Sequence, residues 1–383
     1  MSTLATNAIT DASGGNTATI NSYTPTESNM AGRNRIINGD MRIDQRNAGA
    51  LQTGIGNNTF IADRFSYQRA GLGVSAVFNC QQSTTAPTGF ENSAYLTATT
   101  GQTLGASGGA YMMYRHVIEG FNIADALRSQ SSVTISFWVY FSNSGTYSLV
   151  ATNAVDRSYA TTYTVTTANT WQQITLTIPL NASGGTWNYT NGIGLELRFT
   201  LDAHDDVCTA SNNAWVSANS YGASGQTHGK VTTGATFYIT GVQLEAGSVA
   251  TPFEHRMYGQ ELALCQRYCF AWRTDSLGYT QYGRFPPAFV TSTTSCNTDI
   301  FLPQPMRSTA YSLTYNSKQY QEYYLTGGAT GSNITLNTDA NGTNWVNVTF
   351  NLSGTALPTT QGIMAGIRFT NVTDGALIIS TEL

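Results

Sequence analysis

Residues 235–270, ATFYITGVQLEAGSVATPFEHRMYGQELALCQRYCF, decide the fold. Phe237 and Ile239 alternate with polar neighbours, the period of a half-buried strand. The apolar set then shifts register across Gly241 to Val242 and Leu244, which predicts a β-bulge. A turn follows over Gly247–Pro252. From Tyr258 the period lengthens: Tyr258, Leu262, Cys265 and Cys269 fall at i, i+4, i+7 and i+11, one apolar stripe on a helix. The order is strand, turn, a linking helix over 255–270, then a second β-region.

Upstream of this junction, residues 35–254 read as short alternating strands separated by turn residues. In SSVTISFWVYF, Val133, Ile135, Phe137, Val139 and Phe141 share one face, with Trp138 and Tyr140 on the other. Ile174, Leu176, Ile178 and Leu180 repeat the pattern. Ile193, Leu195, Leu197, Phe199 and Leu201 do so again, with Glu196 and Arg198 expected to point outward into solvent. Clean alternation of this kind implies antiparallel sheets packed on one face, a jelly-roll-like β-sandwich, and not the continuous apolar runs of a buried parallel sheet. Downstream, 271–383 is another β-region with a Tyr-rich stretch and late strands NWVNVTFNL, GIMAGIRFT and ALIIS, long enough for a second β-sandwich. The expected class is all-β.

Two blocks, NRIINGDMRIDQRNAG at 34–49 with ADRFSY at 62–67, and TGVQLE at 240–245 followed by PFEHR and ELALCQRY at 261–268, stand in order about two hundred residues apart. Both resemble segments of tailed-bacteriophage structural proteins, chiefly tail fibres and receptor-binding proteins, over roughly residues 1–270. The resemblance implies an extended arm over 1–34 that attaches to another virion tail or baseplate protein through residues 1–32. It also implies a homotrimer, a receptor-facing C-terminal domain over 271–383, and a place in the virion tail after assembly in the host cytoplasm. Residues 1–32 themselves hold Thr, Ser, Asn, Gly and Ala without periodicity, too little apolar surface to fold alone. A disordered tail and a docked arm both fit them. The alternative for the whole chain is a structural virion component, a head fibre or tail adaptor, without receptor binding. A glycan depolymerase is a further one.

Only 10% of the 383 residues are charged, against roughly 25% in ordinary soluble domains, and the net charge is −4. The surface is therefore rich in hydroxyls and amides, which suits hydrogen bonding to sugars or packing against further copies of the chain. An acidic chain has no electrostatic footprint for nucleic acid. MSTLATNAITDASGG lacks a basic and then apolar leader, and no run approaches the ~18 apolar residues of a membrane span, so neither secretion nor membrane insertion is expected. Five cysteines without a C-x-x-C pair read as reduced thiols.

No catalytic motif occurs: there is no G-x-S-x-G, H-E-x-x-H, Walker loop or dinucleotide fingerprint. No catalytic residue, cofactor or metal site is assigned, and the chain is read as a non-enzyme that binds host surface polysaccharide. In LDAHDDVC, Asp202, Asp205 and Asp206 could present oxygens to Ca²⁺, but the spacing is not that of an EF-hand and a solvated turn suffices. Glu254, His255 and Arg256 are expected to form an ion-pair network at the domain junction. Aromatic rings can stack on the C–H faces of sugars, and Tyr and Trp are also enriched where subunits meet. Trp138, Tyr140, Trp187 and Trp215 are candidates for glycan or subunit contact. Tyr311, Tyr315, Tyr320, Tyr323, Tyr324 and Trp345 are the candidate receptor contacts, since Tyr combines large contact area with few rotatable bonds.

Overall fold

A computed structural model of the protein describes residues 32–71, 77–101, 108–180, 184–273, 286–292, 295–315, 320–324, 327–336, 342–352, 364–369 and 376–383. The backbone alone is described for Tyr315, for residues 320–324, 327–336, 351–352 and 364–369, and for Ala376. The expected arm lies almost wholly outside the described residues. The chain is nearly all β. It divides into two compact units: one holds the chain up to Met41, Thr53–Thr59 and Tyr67–His255, the other Arg42–Gln52, Phe60–Ser66 and Arg256–Leu383.

Two sheets of antiparallel strands organise the first unit. β1 (Thr59–Ala62) and β2 (Phe65–Ala70) are neighbours, and the larger sheet of this unit runs β5 (Tyr111–Glu119), β10 (Ile193–Ala203), β7 (Gly145–Thr152), β8 (Ser158–Val165), β12 (Trp215–Val216). The smaller has the order β3 (Val77–Ser83), β4 (Ser93–Thr100), β14 (Thr236–Ala246), β6 (Ser132–Phe141), β9 (Gln172–Pro179). A helical turn, α1 (Ala124–Ser129), and a two-stranded parallel pair, β11 (Cys208–Thr209) with β13 (Gly222–Ala223), complete it.

The expected alternation builds the core. Phe137 of β6 meets Phe199 of β10 edge to face, ring centroids 5.0 Å apart, and Phe141 meets Tyr147 of β7 at 4.8 Å. Such pairs add about 0.5–1.5 kcal/mol each beyond the area they bury. Tyr114 of β5 is fully buried, and its hydroxyl donates to the Phe237 carbonyl of the facing sheet at 2.7 Å.

The bulge falls where the sequence places it. Strand β14 pairs with β6 through Thr240 and resumes at Gln243 opposite Ser136, and Gly241 adopts φ 61°. The first motif block holds it. The Asn34 side chain accepts from the Ile36 and Leu244 amides (2.9 and 3.1 Å) and donates to the Val242 carbonyl (3.3 Å). A Cβ on Gly39 would lie 2.1 Å from that carbonyl oxygen, so only glycine lets the two backbones approach. NRIING and TGVQLE are thus two halves of one structural device.

One expectation on β10 is overturned. Glu196 and Arg198 are not solvated: they are 2% and 3% exposed. The chain from Ser217 to Gln226 lies over that face. Arg198 donates to the Ser220 carbonyl at 2.5 Å and its guanidinium lies 4.3 Å from the Tyr221 ring centre, while Thr200 donates to the Tyr221 carbonyl at 2.6 Å. Alternation identified the two faces of the strand correctly, but a layer supplied from elsewhere in the chain covers the second.

In the second unit, β16 (Ala288–Ser292), β17 (Ser295–Phe301), β21 (Trp345–Leu352), β20 (Gly327–Leu336), β19 (Tyr320–Tyr324) and β22 (Met364–Phe369) close into a barrel. This replaces the expected pair of facing C-terminal sheets. Closure removes the exposed edges that so short a set of strands would otherwise leave. A three-stranded sheet, β15 (Cys269–Arg273), β23 (Ala376–Ser380), β18 (Ser312–Tyr315), shares a core with it that includes Ile300, Val346, Phe350, Leu377 and Ile379.

The linking helix is shorter than its period suggests. Helix α2 spans Tyr258–Gln266, and Cys269 opens β15 opposite Ser380. Tyr258 is 57% exposed, whereas Glu261, off the expected stripe, is buried against Arg256 at 3.2 Å.

Two segments that the sequence reading keeps in the 35–254 domain, Arg42–Gln52 and Phe60–Ser66, belong to this second unit. Their charges find partners there. Arg46 reaches Asp63 (3.4 Å), Glu382 (3.1 Å) and the Ser380 hydroxyl (3.1 Å). Arg64 pairs with Glu382 and lies 3.6 Å from the centre of the Tyr268 ring. Gln45 donates to Asp63 and to the Cys269 carbonyl at 2.7 Å. Burial pushes the Asp63 carboxyl up to about 7, against the pull of Arg46. The five cysteines are free thiols, and burial raises those of Cys265 and Cys269 well above the usual range.

Candidate functional site

The registers of the five-stranded sheet line up aromatic side chains on its outer face. Tyr238 of β14 stands opposite Tyr95 of β4 on one side and Tyr140 of β6 on the other. Trp171 immediately precedes β9, whose Gln172 stands opposite Val139, and its ring packs beside Tyr140. Ring centroids are 4.7 Å apart for Tyr95 and Tyr238, 5.4 Å for Tyr238 and Tyr140, and 5.6 Å for Tyr140 and Trp171. All four rings are half-buried, their inner edges packed together and their outer surfaces in solvent. Because every second residue of a strand faces outward, the three tyrosines stand in register on three neighbouring strands, and Trp171, 6.2 Å from Tyr238 as well, closes them into a compact aromatic cluster.

Amides and hydroxyls flank the cluster. On one side Asn79 stands opposite Thr97, and Thr97 opposite Thr236. On the other, Trp138 stands between Thr240 and Gln173. Beyond Trp138 the face ends at a ledge. Phe90 packs edge-on to Phe253 at 5.1 Å, with the His255 ring 4.9 Å from Phe253 and 5.7 Å from Phe90. Gly241 seats that ledge, since a Cβ there would meet Phe90 at 2.7 Å and Trp138 at 2.9 Å. Burial, then the neighbouring Tyr95 and Tyr140, raise the Tyr238 phenol, so it remains a neutral donor. Among the described residues, the hydroxyls of Tyr95, Tyr140 and Tyr238 have no hydrogen-bond partner.

The cluster can stack on apolar ring faces and exchange hydrogen bonds with hydroxyls beside them. The positions named in these rows are aromatic, amide or hydroxyl side chains.

The sequence candidates separate in space. Trp138 and Tyr140 lie on this face. Trp187 and Trp215 instead pair edge-on at 5.4 Å, with Trp215 5.8 Å from Tyr159 at the edge of the larger sheet. Their indole N–H groups are already committed, to the Gly184 carbonyl (2.9 Å) and the Pro179 carbonyl (2.6 Å). In the second unit Tyr311 packs against the core and donates to the Gly342 carbonyl, and Trp345 stands opposite Phe301, its indole against Gly342. Tyr320, Tyr323 and Tyr324 lie on β19 and Tyr315 ends β18; their side chains lie outside what is described.

At the junction, Glu254 accepts from the Asn34 amide at 2.8 Å and His255 joins the aromatic ledge. Arg256 pairs with Glu261 in its own unit. The acidic turn is engaged by protein groups. Asp202 accepts from the Gly229 amide (2.9 Å), Asp205 meets His228 (3.1 Å), and Asp206 meets His204 (2.6 Å) and the Gly109 amide (2.9 Å). No group of three or more His, Cys, Asp or Glu placed to hold a metal ion occurs among the described residues. No helix of the described residues is long and apolar enough to cross a membrane.

Sequence reasoning missed Tyr95, Tyr238 and Trp171. Tyr238 was visible as an outward position between Phe237 and Ile239, but only strand register shows that it joins Tyr140.

No family model matches the chain, and no curated protein does. Among solved structures, the chain is similar to one described as "CBM4 structure and function", at 16% identity and a TM-score of 0.31, covering 55% of this chain and 99% of that one. It is similar to TmCBM61 in complex with a β-1,4-galactotriose at 10% identity and 0.23, covering 56% and 99%. It is similar to the enzymatically active domain of bacteriophage CBA120 tailspike protein 4 at 11% identity and 0.26, covering 51% of this chain and 21% of that one. These likenesses are distant, and the reading of the site rests on its own geometry.

Proposed function

We propose that this protein is a bacteriophage tail fibre or receptor-binding protein that holds host surface glycan noncovalently on the outer face of its five-stranded sheet. The observation that carries the glycan reading is the half-exposed aromatic cluster of Tyr95, Tyr238, Tyr140 and Trp171 with neutral amides and hydroxyls beside it. Sugars present C–H faces and hydroxyls side by side, and the cluster answers each with the matching chemistry. The two motif blocks support placement in a virion, and residues 1–32 are the proposed attachment to another tail or baseplate protein. In a homotrimer, copies of the face turn individually weak contacts into firm attachment through effective concentration. The protein acts by binding and transforms nothing.

The test is retention of the full chain on immobilised bacterial surface polysaccharides. The paired substitution Tyr140→Ala with Tyr238→Ala lowers apparent affinity at least tenfold, equivalent to ~1.4 kcal/mol. Equal retention of the paired variant and the parent overturns the placement of the site, and shortening of the polysaccharide during incubation overturns the non-enzymatic reading. Deletion of residues 1–32 yields particles lacking the protein; particles that keep it overturn the arm's role.

A further inference from the structure

We infer that the open edge of the five-stranded sheet takes an added strand, and that this strand comes from the same chain, residues 17–23 of the N-terminal arm. The inference is independent of the glycan reading. Strand β9 ends this sheet and pairs with β6 in unbroken register over its whole length. Among the described residues, the backbone of Gln173–Ile178 bonds only to β6, so every second amide and carbonyl points away with no protein partner there. The other end of the sheet is covered: the Phe78 carbonyl of β3 accepts from the Ile55 amide at 2.9 Å, and the Asn79 side chain accepts from the Gly54 amide at 3.1 Å. Proteins protect a long free edge with charge, a bulge or an internal proline. QQITLTIP has none of the three, its one proline closing the strand. The core is open there as well. Val133, Ile135, Phe137 and Val139 of β6 are fully buried, but Ile174 and Leu176, beside them on the same inner face, are only half-buried.

The place where the arm joins the body, and its sequence, select the occupant. Residue 32 is the first described, and Arg33 lies 3.7 Å from Glu245 of β14. Glu245 stands opposite Thr134 of β6, and Thr134 opposite Thr177 of β9, their hydroxyls 3.2 Å apart. The arm therefore joins the body two strand spacings from the free edge, ~10 Å, whereas residues 24–32 span up to ~30 Å when extended. A strand at 17–23 is within range of its own β9. The segment TATINSY is uncharged, as β9 is, and rich in residues that strands favour. In a strand, Ala18, Ile20 and Ser22 share one face, and Thr17, Thr19, Asn21 and Tyr23 the other. Ile20 turned inward covers Ile174 and Leu176, and the hydroxyls and amide turned outward continue the exposed Gln173, Thr175 and Thr177. An arm with too little apolar surface to fold alone needs no core of its own when a sheet edge supplies its hydrogen bonds and neighbours. Residues 1–16 remain for the attachment proposed above.

Amide hydrogen exchange tests this on the full chain, on a chain lacking residues 1–23 and on the full chain carrying Ile20→Asp. In the full chain, the β9 amides that face away from β6 exchange more slowly than in the truncated chain, by roughly tenfold or more, and Ile20→Asp restores the faster rate. The β6 amides, as an internal reference, exchange alike in all three. Equal β9 exchange with and without residues 1–23, whether fast or slow, overturns the inference. Slow exchange that vanishes on dilution assigns the edge to a second copy and overturns the arm as its occupant. Protection that survives Ile20→Asp overturns the placement of residues 17–23.

Discussion

Replacing Glu196 with Gln isolates the charge of the buried pair of arginines around it. Glu196 accepts from Arg198 Nε at 2.7 Å and pairs with Arg115 at 2.7 Å, and it is nearly inaccessible to water. Glutamine keeps the shape and removes the anion, leaving two guanidiniums with no carboxylate between them. Breaking a buried pair by removing one partner costs about 3–5 kcal/mol, because an uncompensated charge is left behind. At 2–4 °C per kcal/mol for a unit of this size, the thermal midpoint falls by roughly 6–20 °C. The pH dependence supplies an independent sign. Burial pushes the Glu196 carboxyl up, but Arg198 and Arg115 together outweigh it and hold the group below its ordinary range. The stabilisation is then complete above the unfolded value near 4.5 and is lost as pH falls through the lower folded value. Denaturant unfolding of the parent and Glu196→Gln at neutral and acid pH, followed by tryptophan fluorescence, measures both. A loss under ~1 kcal/mol at neutral pH, the worth of a solvated pair, would refute the reasoning.

The remaining expectations concern the motif blocks and the thiols. Gly241→Ala forces a Cβ into φ 61° and against Phe90 and Trp138, so it costs about 1–3 kcal/mol and moves the Trp138 emission; an unchanged spectrum and midpoint would count against the bulge as the seat of the ledge. Asp63 behaves oppositely to Glu196. Its folded carboxyl titrates at about 7 and its unfolded one at 3.8, so between these values the unfolded chain binds fewer protons, and stability falls by up to about 1.4 kcal/mol per pH unit as pH rises. Asp63→Asn removes that slope; a slope that persists in the variant refutes the assignment to Asp63. With four cysteines buried and the Cys208 thiol pushed up to about 12, a thiol reagent at neutral pH titrates at most one of the five groups in the native protein and all five after unfolding; rapid labelling of Cys265 or Cys269 would contradict their burial.

How much of this was legible depends on whether the cause was local. The inward faces of β6, β10 and β14 and the bulge at Gly241 follow from alternation, a property of a few consecutive residues. The second face of a strand does not. Glu196 and Arg198 read as solvated because nothing near them in sequence announces that Ser220 and Tyr221 return to cover them. Cys269 read as the last turn of a helix because its spacing fits, but hydrogen bonds to Ser380, more than a hundred residues on, pull it into β15. The C-terminal strands read as strands, while closure of the barrel depends on which edges meet.

The same distinction explains why the cluster was half seen. Trp138 and Tyr140 were visible as outward residues of one strand, and their ligand and subunit readings could not be told apart from that strand alone. Register adds what a single strand lacks: it places Tyr238 and Tyr95 beside Tyr140, and with Trp171 packed on Tyr140 and Tyr238 it turns one exposed ring into a cluster of four. Register here depends on the bulge, because β14 meets β6 in one phase up to Thr240 and in another from Gln243. Were the first phase to slip by one residue, Tyr238 would turn into the core and the cluster would lose its centre. Asn34 and Gly39, which hold the bulge, are therefore positioning residues for a surface they do not touch. Asn34→Ala should weaken ligand binding together with Tyr238→Ala's own target while leaving every ring in the sequence. The readout is affinity for a neutral oligosaccharide alongside near-ultraviolet circular dichroism of the tyrosines. Loss of stability with full retention of affinity and of the aromatic signal would show that the cluster keeps its register without the motif.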